Sequence, residues 1–137
     1  MKTKSYRDQH ERMLMLAGQI SQKLDLNALS KDASEVRNIL SQLLGLLNIH
    51  LAMEDKALYP SMLSHSDAQI SQTAKKFQEE MGGIGAVVGD YNKKWSSALK
   101  IQDNPSAFIS ESKNIFSALA KRIDRENNQL YPLFDKS

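Results

Sequence analysis

One motif occurs twice in this 137-residue chain, once whole and once altered. The run His50-Leu-Ala-Met-Glu54-Asp-Lys-Ala-Leu58-Tyr59-Pro60 returns near the other end as Arg122-Ile-Asp-Arg-Glu126-Asn-Asn-Gln-Leu130-Tyr131-Pro132, with Glu, Leu, Tyr and Pro in register. A polar residue one helical turn before a Glu puts both side chains on one face of a helix. That is how a helix offers an imidazole and a carboxylate to a single metal ion. The second copy carries Arg122 where the first carries His50. The pair therefore reads as a metal-binding helical bundle in which half of the metal site has been lost.

Helical period governs the rest of the chain, and strand signals are absent. A first helix over roughly residues 5 to 24 puts Tyr6, His10, Met13, Ala17, Ile20 and Leu24 on one apolar stripe, so His10 faces the core. Residues 26–31 read as a turn. A second helix from about residue 32 carries Val36, Ile39, Leu43, Leu46, His50, Met53 or Glu54, and Ala57 inward as far as Pro60. Ser66 or Asp67 suits the cap of a third helix bearing Ile70, Ala74, Phe77, Met81, Ile84, Val88, Tyr91 and Trp95. Asn104-Pro105 is a start signal for a fourth, with Phe108, Ser112, Ile115, Leu119, Arg122, Glu126, Gln129 and Leu133 on its stripe.

Four long helices with short connections predict an all-α fold, an antiparallel up-down-up-down four-helix bundle in a single domain over 1–137. A helical hairpin, 5–63, is repeated as 67–133. In that repeat the counterpart of His10 is Met81 on the third helix, just as the counterpart of His50 is Arg122.

Several pieces have simpler readings. Gly82, Gly83, Gly85 and Gly89 fall within the third helix, where each costs about 1 kcal/mol relative to Ala on an exposed face. Close approach of a neighbouring helix is the expected compensation, with a local bend or ligand access as the alternative. The Tyr59-Pro60 and Tyr131-Pro132 pairs are expected to end or kink helices and cover one end of the bundle. His65 lies in a polar turn and is expected to be exposed. The methionines Met13, Met15, Met53, Met62 and Met81 read as adaptable core rather than a copper box.

Composition excludes other classes. With no cysteine, a metal must be held by His and carboxylate ligands. The net charge of +2 comes from 18 basic and 16 acidic residues without a block of like charge, so no nucleic-acid or membrane partner is expected. The polar start does not resemble a signal peptide, and no apolar run approaches the roughly 20 residues that span a bilayer. A cytoplasmic location is the expectation. A histidine phosphotransfer domain needs an exposed His, which neither His10 nor His50 supplies.

On these residues the chain resembles the hemerythrin-like (HHE cation-binding) domains, from Arg7-Asp-Gln-His10 to Leu130-Tyr131-Pro132. That family's pattern is a His on helix one, HxxxE on helix two, a His on helix three, and a second HxxxE followed by Leu-Tyr/Phe-Pro on helix four. The resemblance implies a four-helix bundle around a carboxylate-bridged di-iron centre. His10, His50, Glu54 and Glu126 match its ligands, while Met81 and Arg122 stand where two His are expected. The set for one metal is complete and the nitrogen set for the other is gone.

The resemblance implies a metal-binding or sensing protein with one mononuclear site, holding iron or a similar divalent ion and taking O2, NO or another small ligand. Reversible oxygen binding that needs two irons is not expected. A metal-free reading stands beside it, in which Arg122, His10 and His50 neutralise Glu54 and Glu126 and the bundle is a regulatory or interaction module. A dinuclear site completed by other ligands is a third possibility. No acid–base set beyond the ligands points to an enzyme.

Overall fold

Apolar residues recurring every three or four positions make the chain helical throughout. The computed structural model describes residues 1–137 and contains nine α-helices, two π-helical turns and no strand. Helix α1 (Lys4–Ser21) packs along α3 (Ser34–Met53), with the short α2 (Leu26–Lys31) between them. After α4 (Tyr59–Leu63) come α5 (Ala68–Met81), α6 (Ile84–Lys94), α7 (Ala98–Asp103), α8 (Pro105–Arg125) and α9 (Tyr131–Lys136).

Proline shapes both repeated motifs. Inside a helix it cannot donate to the carbonyl four residues back, and its ring presses against that carbonyl. Of the two outcomes expected at the Tyr-Pro pairs, an end or a kink, the helix does not end there; it widens. Helix α3 passes into a π-helical turn, Glu54–Leu58, and continues as α4, with Tyr59 N–H bonded to the Glu54 carbonyl. Helix α8 does the same through Glu126–Leu130 into α9, with Tyr131 N–H bonded to the Glu126 carbonyl. Each π turn begins at the motif Glu. Such insertions shift the helical phase and are frequent at functional sites.

Side-chain caps explain where other helices start. Asp67 accepts from Gln69 N–H at the head of α5, and Asn104 accepts from Ala107 N–H at the head of α8, where Pro105 fills the first turn. The two connections are more ordered than turns. Asp25 caps α2 and Ser97 caps α7, and their buried Leu29 and Ile101 join the core as α2 packs on α7 and α8.

The long third helix expected from the sequence is divided at Gly82-Gly83 into α5 and α6. Close helix approach does not explain its glycines. A Cβ on Gly83 or Gly89 would meet open space, and one on Gly85 would make ordinary contact with Leu51. A Cβ on Gly82 would lie 2.6 Å from the Gln78 carbonyl of its own helix, so this glycine permits the bend. His65 is half-buried rather than exposed, and its Nδ1 accepts the Asp67 N–H at 3.0 Å.

The apolar core has two parts. The larger holds Met13, Ile20, Leu40, Leu43, Leu47, Phe108 and Leu119, and the smaller holds Tyr6, Leu58, Met62, Phe77, Leu130 and Tyr131. The methionines are dispersed, with Met13 and Met62 in different parts and Met15 exposed. Along α1, α3 and α8 the residues between the two parts include His10, His50, Glu54, Arg122 and Glu126, all buried. A polar layer thus crosses the interior.

Candidate metal centre

Helical spacing sets the layer. His10 follows Tyr6 by one turn on α1, His50 near the end of α3 is one turn before Glu54 at the head of its π turn, and Arg122 near the end of α8 is one turn before Glu126 at the head of the other. The His10, His50, Glu54 and Glu126 side chains are at most 2% exposed.

Two imidazoles and a carboxylate converge. His10 Nε2 lies 3.1 Å from His50 Nε2 and 3.0 Å from Glu126 Oε1, and His50 Nε2 lies 3.8 Å from Glu126 Oε1. Ligand atoms bound to one ion at about 2.1 Å are separated by about 3 to 4 Å, so the donor set fits. Glu54 Oε2 is 3.4 Å from His50 Nε2, which brings all four expected ligand side chains into one cluster.

The outer nitrogens are already engaged. His10 Nδ1 faces the Asn127 amide oxygen at 2.8 Å, and His50 Nδ1 faces the Gln9 amide oxygen at 2.7 Å. An acceptor at Nδ1 keeps a proton there and leaves Nε2 directed inward, which is how metal-bound histidines are oriented. Gln9 and Asn127 are absent from the sequence expectations. They adjoin His10 and Glu126 but lie off the apolar stripe, so periodicity passes over them.

Arg122 spans the carboxylates. Its Nη2 lies 3.4 Å from Glu54 Oε1 and its Nε 3.4 Å from Glu126 Oε2, while Nη1 donates to the Met81 carbonyl at 2.7 Å. Met81 therefore contributes a backbone oxygen to this half of the layer, and its half-buried side chain packs on the smaller core. Glu126 Oε2 is buried without a hydrogen bond, a carboxylate oxygen with unused acceptor capacity. A cleft of about 270 Å³, lined by Leu51, Asp55, Tyr59, Gln78 and Gly82, reaches Arg122 from outside.

Tyr131 enters the cluster as well, which its expected covering role does not include. Its hydroxyl donates to Glu54 Oε2 at 2.8 Å and lies 3.1 Å from His10 Nε2 and 3.3 Å from His50 Nε2.

Protonation follows from burial and charge together. Burial alone would lower the His50 imidazole, but hydrogen bonds and charge from Glu126 and Glu54 outweigh it and raise the group to about 9. Burial likewise favours neutral Glu126, yet His10, His50 and Arg122 hold its carboxylate well below the usual range. Glu54 is shifted up, chiefly by burial. Without a metal, a charged His50 places positive charge beside Glu54 and Glu126.

The family model described as Hemerythrin HHE cation binding domain matches residues 1–134. No curated protein and no solved structure matches the chain.

Two outcomes follow for the metal-free protein. Arg122→Ala leaves two buried carboxylates short of a partner and should cost about 3 to 5 kcal/mol in denaturant unfolding. A cost within about 0.5 kcal/mol, as at surface sites, would contradict the pairing. The His50 pKa is raised on folding, so its contribution is full below about 6.5 and is lost as pH rises through about 9. The raised Glu54 carboxyl acts in the same direction, because its ionisation is disfavoured in the folded state. Chelator-treated protein should therefore lose on the order of 3 kcal/mol between about pH 6 and about pH 9.5, and a flat profile would contradict a charged His50.

Proposed function

We propose, for a chain that belongs to the hemerythrin HHE cation-binding domain family, that it is a metal-binding and sensing protein with one mononuclear site. His10, His50, Glu54 and Glu126 would hold the ion. The carrying observation is the approach of His10 Nε2, His50 Nε2 and Glu126 Oε1 to within 4.8 Å of one another, all buried. The fixed Nδ1 contacts of both imidazoles support the same reading.

This donor set of nitrogen and carboxylate oxygen, without sulfur, suits Fe(II), Mn(II) or Zn(II), and iron is the ion assigned here. Bound there, the ion would supply a coordination position for a small ligand such as O2 or NO. Arg122 takes the electrostatic place of a second ion, since it neutralises the carboxylates from the side of Met81. The two π-turn motifs support a duplicated hairpin, 5–63 and 67–133, in one antiparallel four-helix domain. No helix is long and apolar enough to cross a membrane, and a cytoplasmic location is part of the proposal.

One observation favours a second reading. With Arg122 and a charged His50 facing two carboxylates, the cluster is balanced without a metal. It would then be a register-setting network in a regulatory or interaction module.

Thermal unfolding with and without Fe(II) separates the two. Ligand at about 1,000 times its Kd adds about 4 kcal/mol, a rise of roughly 10 °C or more in Tm at this size. The mononuclear reading expects that rise in the parent protein and its loss in His50→Ala. Equal melting points with and without metal in the parent protein would favour the metal-free module.

A further inference from the structure

Tyr131 is fully buried, and its hydroxyl, holding a single proton, faces Glu54 Oε2 and the Nε2 atoms of His10 and His50. We infer that Tyr131 is itself a metal ligand, its phenol oxygen binding a ferric ion alongside His10, His50 and the carboxylates of Glu54 and Glu126. The inference rests on the mononuclear reading and extends its donor set.

The geometry separates a ligand from a covering residue. One proton satisfies Glu54 Oε2 at 2.8 Å and leaves the phenol oxygen against two inward-directed imidazole nitrogens at 3.1 and 3.3 Å. Those separations match neighbouring donors around one ion, as do the 3.1 Å between the imidazoles and the 3.0 Å from His10 to Glu126. The ring is held in place. It stacks on His10 with centroids 5.2 Å apart and planes at 16°, and the Arg7 guanidinium lies 5.4 Å from its centroid. Arg7 also donates to the Asn127 carbonyl, which ties this support to the residue that orients His10.

The repeat sharpens the assignment. Tyr59, at the matching motif position, lines the cleft beside Arg122, whereas Tyr131 reaches the two histidines. The tyrosine that meets the intact nitrogen set is the one placed to bind. Charge favours it too. Arg122 offsets one of the two carboxylates, so a trivalent ion would keep a large excess of buried positive charge unless another anion joined it. Phenolate is a known ligand of ferric iron in proteins. In the binding step the Oη–H bond is lost, an Oη–Fe(III) bond forms, the proton passes to the buffer and no electron moves.

The test is the visible and resonance Raman spectrum of the whole chain loaded with ferric nitrilotriacetate, with bound iron measured on the same samples after desalting. The expected result is a phenolate-to-iron charge-transfer band with enhanced phenolate ring modes. It should be lost in Tyr131→Phe and kept in Tyr59→Phe and Tyr6→Phe. Iron bound to the parent protein without such a band would overturn Tyr131 ligation and leave the mononuclear site standing. A band that survives in Tyr131→Phe would assign the phenolate to another tyrosine and overturn the inference. No bound iron would overturn both readings. If Tyr131→Phe does not fold, the parent spectrum decides together with the Tyr59→Phe and Tyr6→Phe variants: loss of the band in either would overturn the assignment.

Discussion

Two carboxylates buried side by side are the constraint on which the rest of this structure depends. Glu54 and Glu126 are wholly removed from solvent, where an unpaired charge is too costly to persist. Positive charge must therefore come to them. Arg122 supplies it from one side, and a His50 proton or a metal ion supplies it from the other.

The backbone is arranged to deliver those groups. Each motif Glu opens a π-helical turn that lets a proline follow without ending the helix. The extra residue in the turn changes the phase of what comes after it, which carries Tyr131 to the histidines. Separate interactions hold the far end of the same helix. The Asp135 carboxylate accepts from Thr3 N–H at 3.0 Å and from Thr3 Oγ1 at 2.8 Å, which fixes α9 against the start of α1.

Much of the cluster was legible because its members obey helical spacing. His10, His50, Glu54, Arg122 and Glu126 lie on apolar stripes, where a polar residue stands out. Met81 was legible as a position, but the contact it makes is through its carbonyl, which a side-chain pattern does not represent. Tyr131 lies off the α-helical stripe that runs from Glu126 to Gln129 and Leu133, and the π turn shifts that phase, so its approach to the histidines is not readable from spacing. Gln9 and Asn127 act from beside the stripe, so their role depends on neighbouring helices. The all-helical class was readable from period alone. The break at Gly82-Gly83 and the capped helices α2 and α7 were not, since a glycine pair and a short capped run leave several local conformations open.

The central claim is that Arg122 stands in for one ion while the histidine half still binds another. Elemental mass spectrometry of tag-free protein, loaded anaerobically with Fe(II) and desalted, measures this directly. The account predicts about one metal per chain. No metal would mean that the layer is a structural network, and about two would mean that Arg122 and Met81 do not mark a lost site; either result contradicts the account.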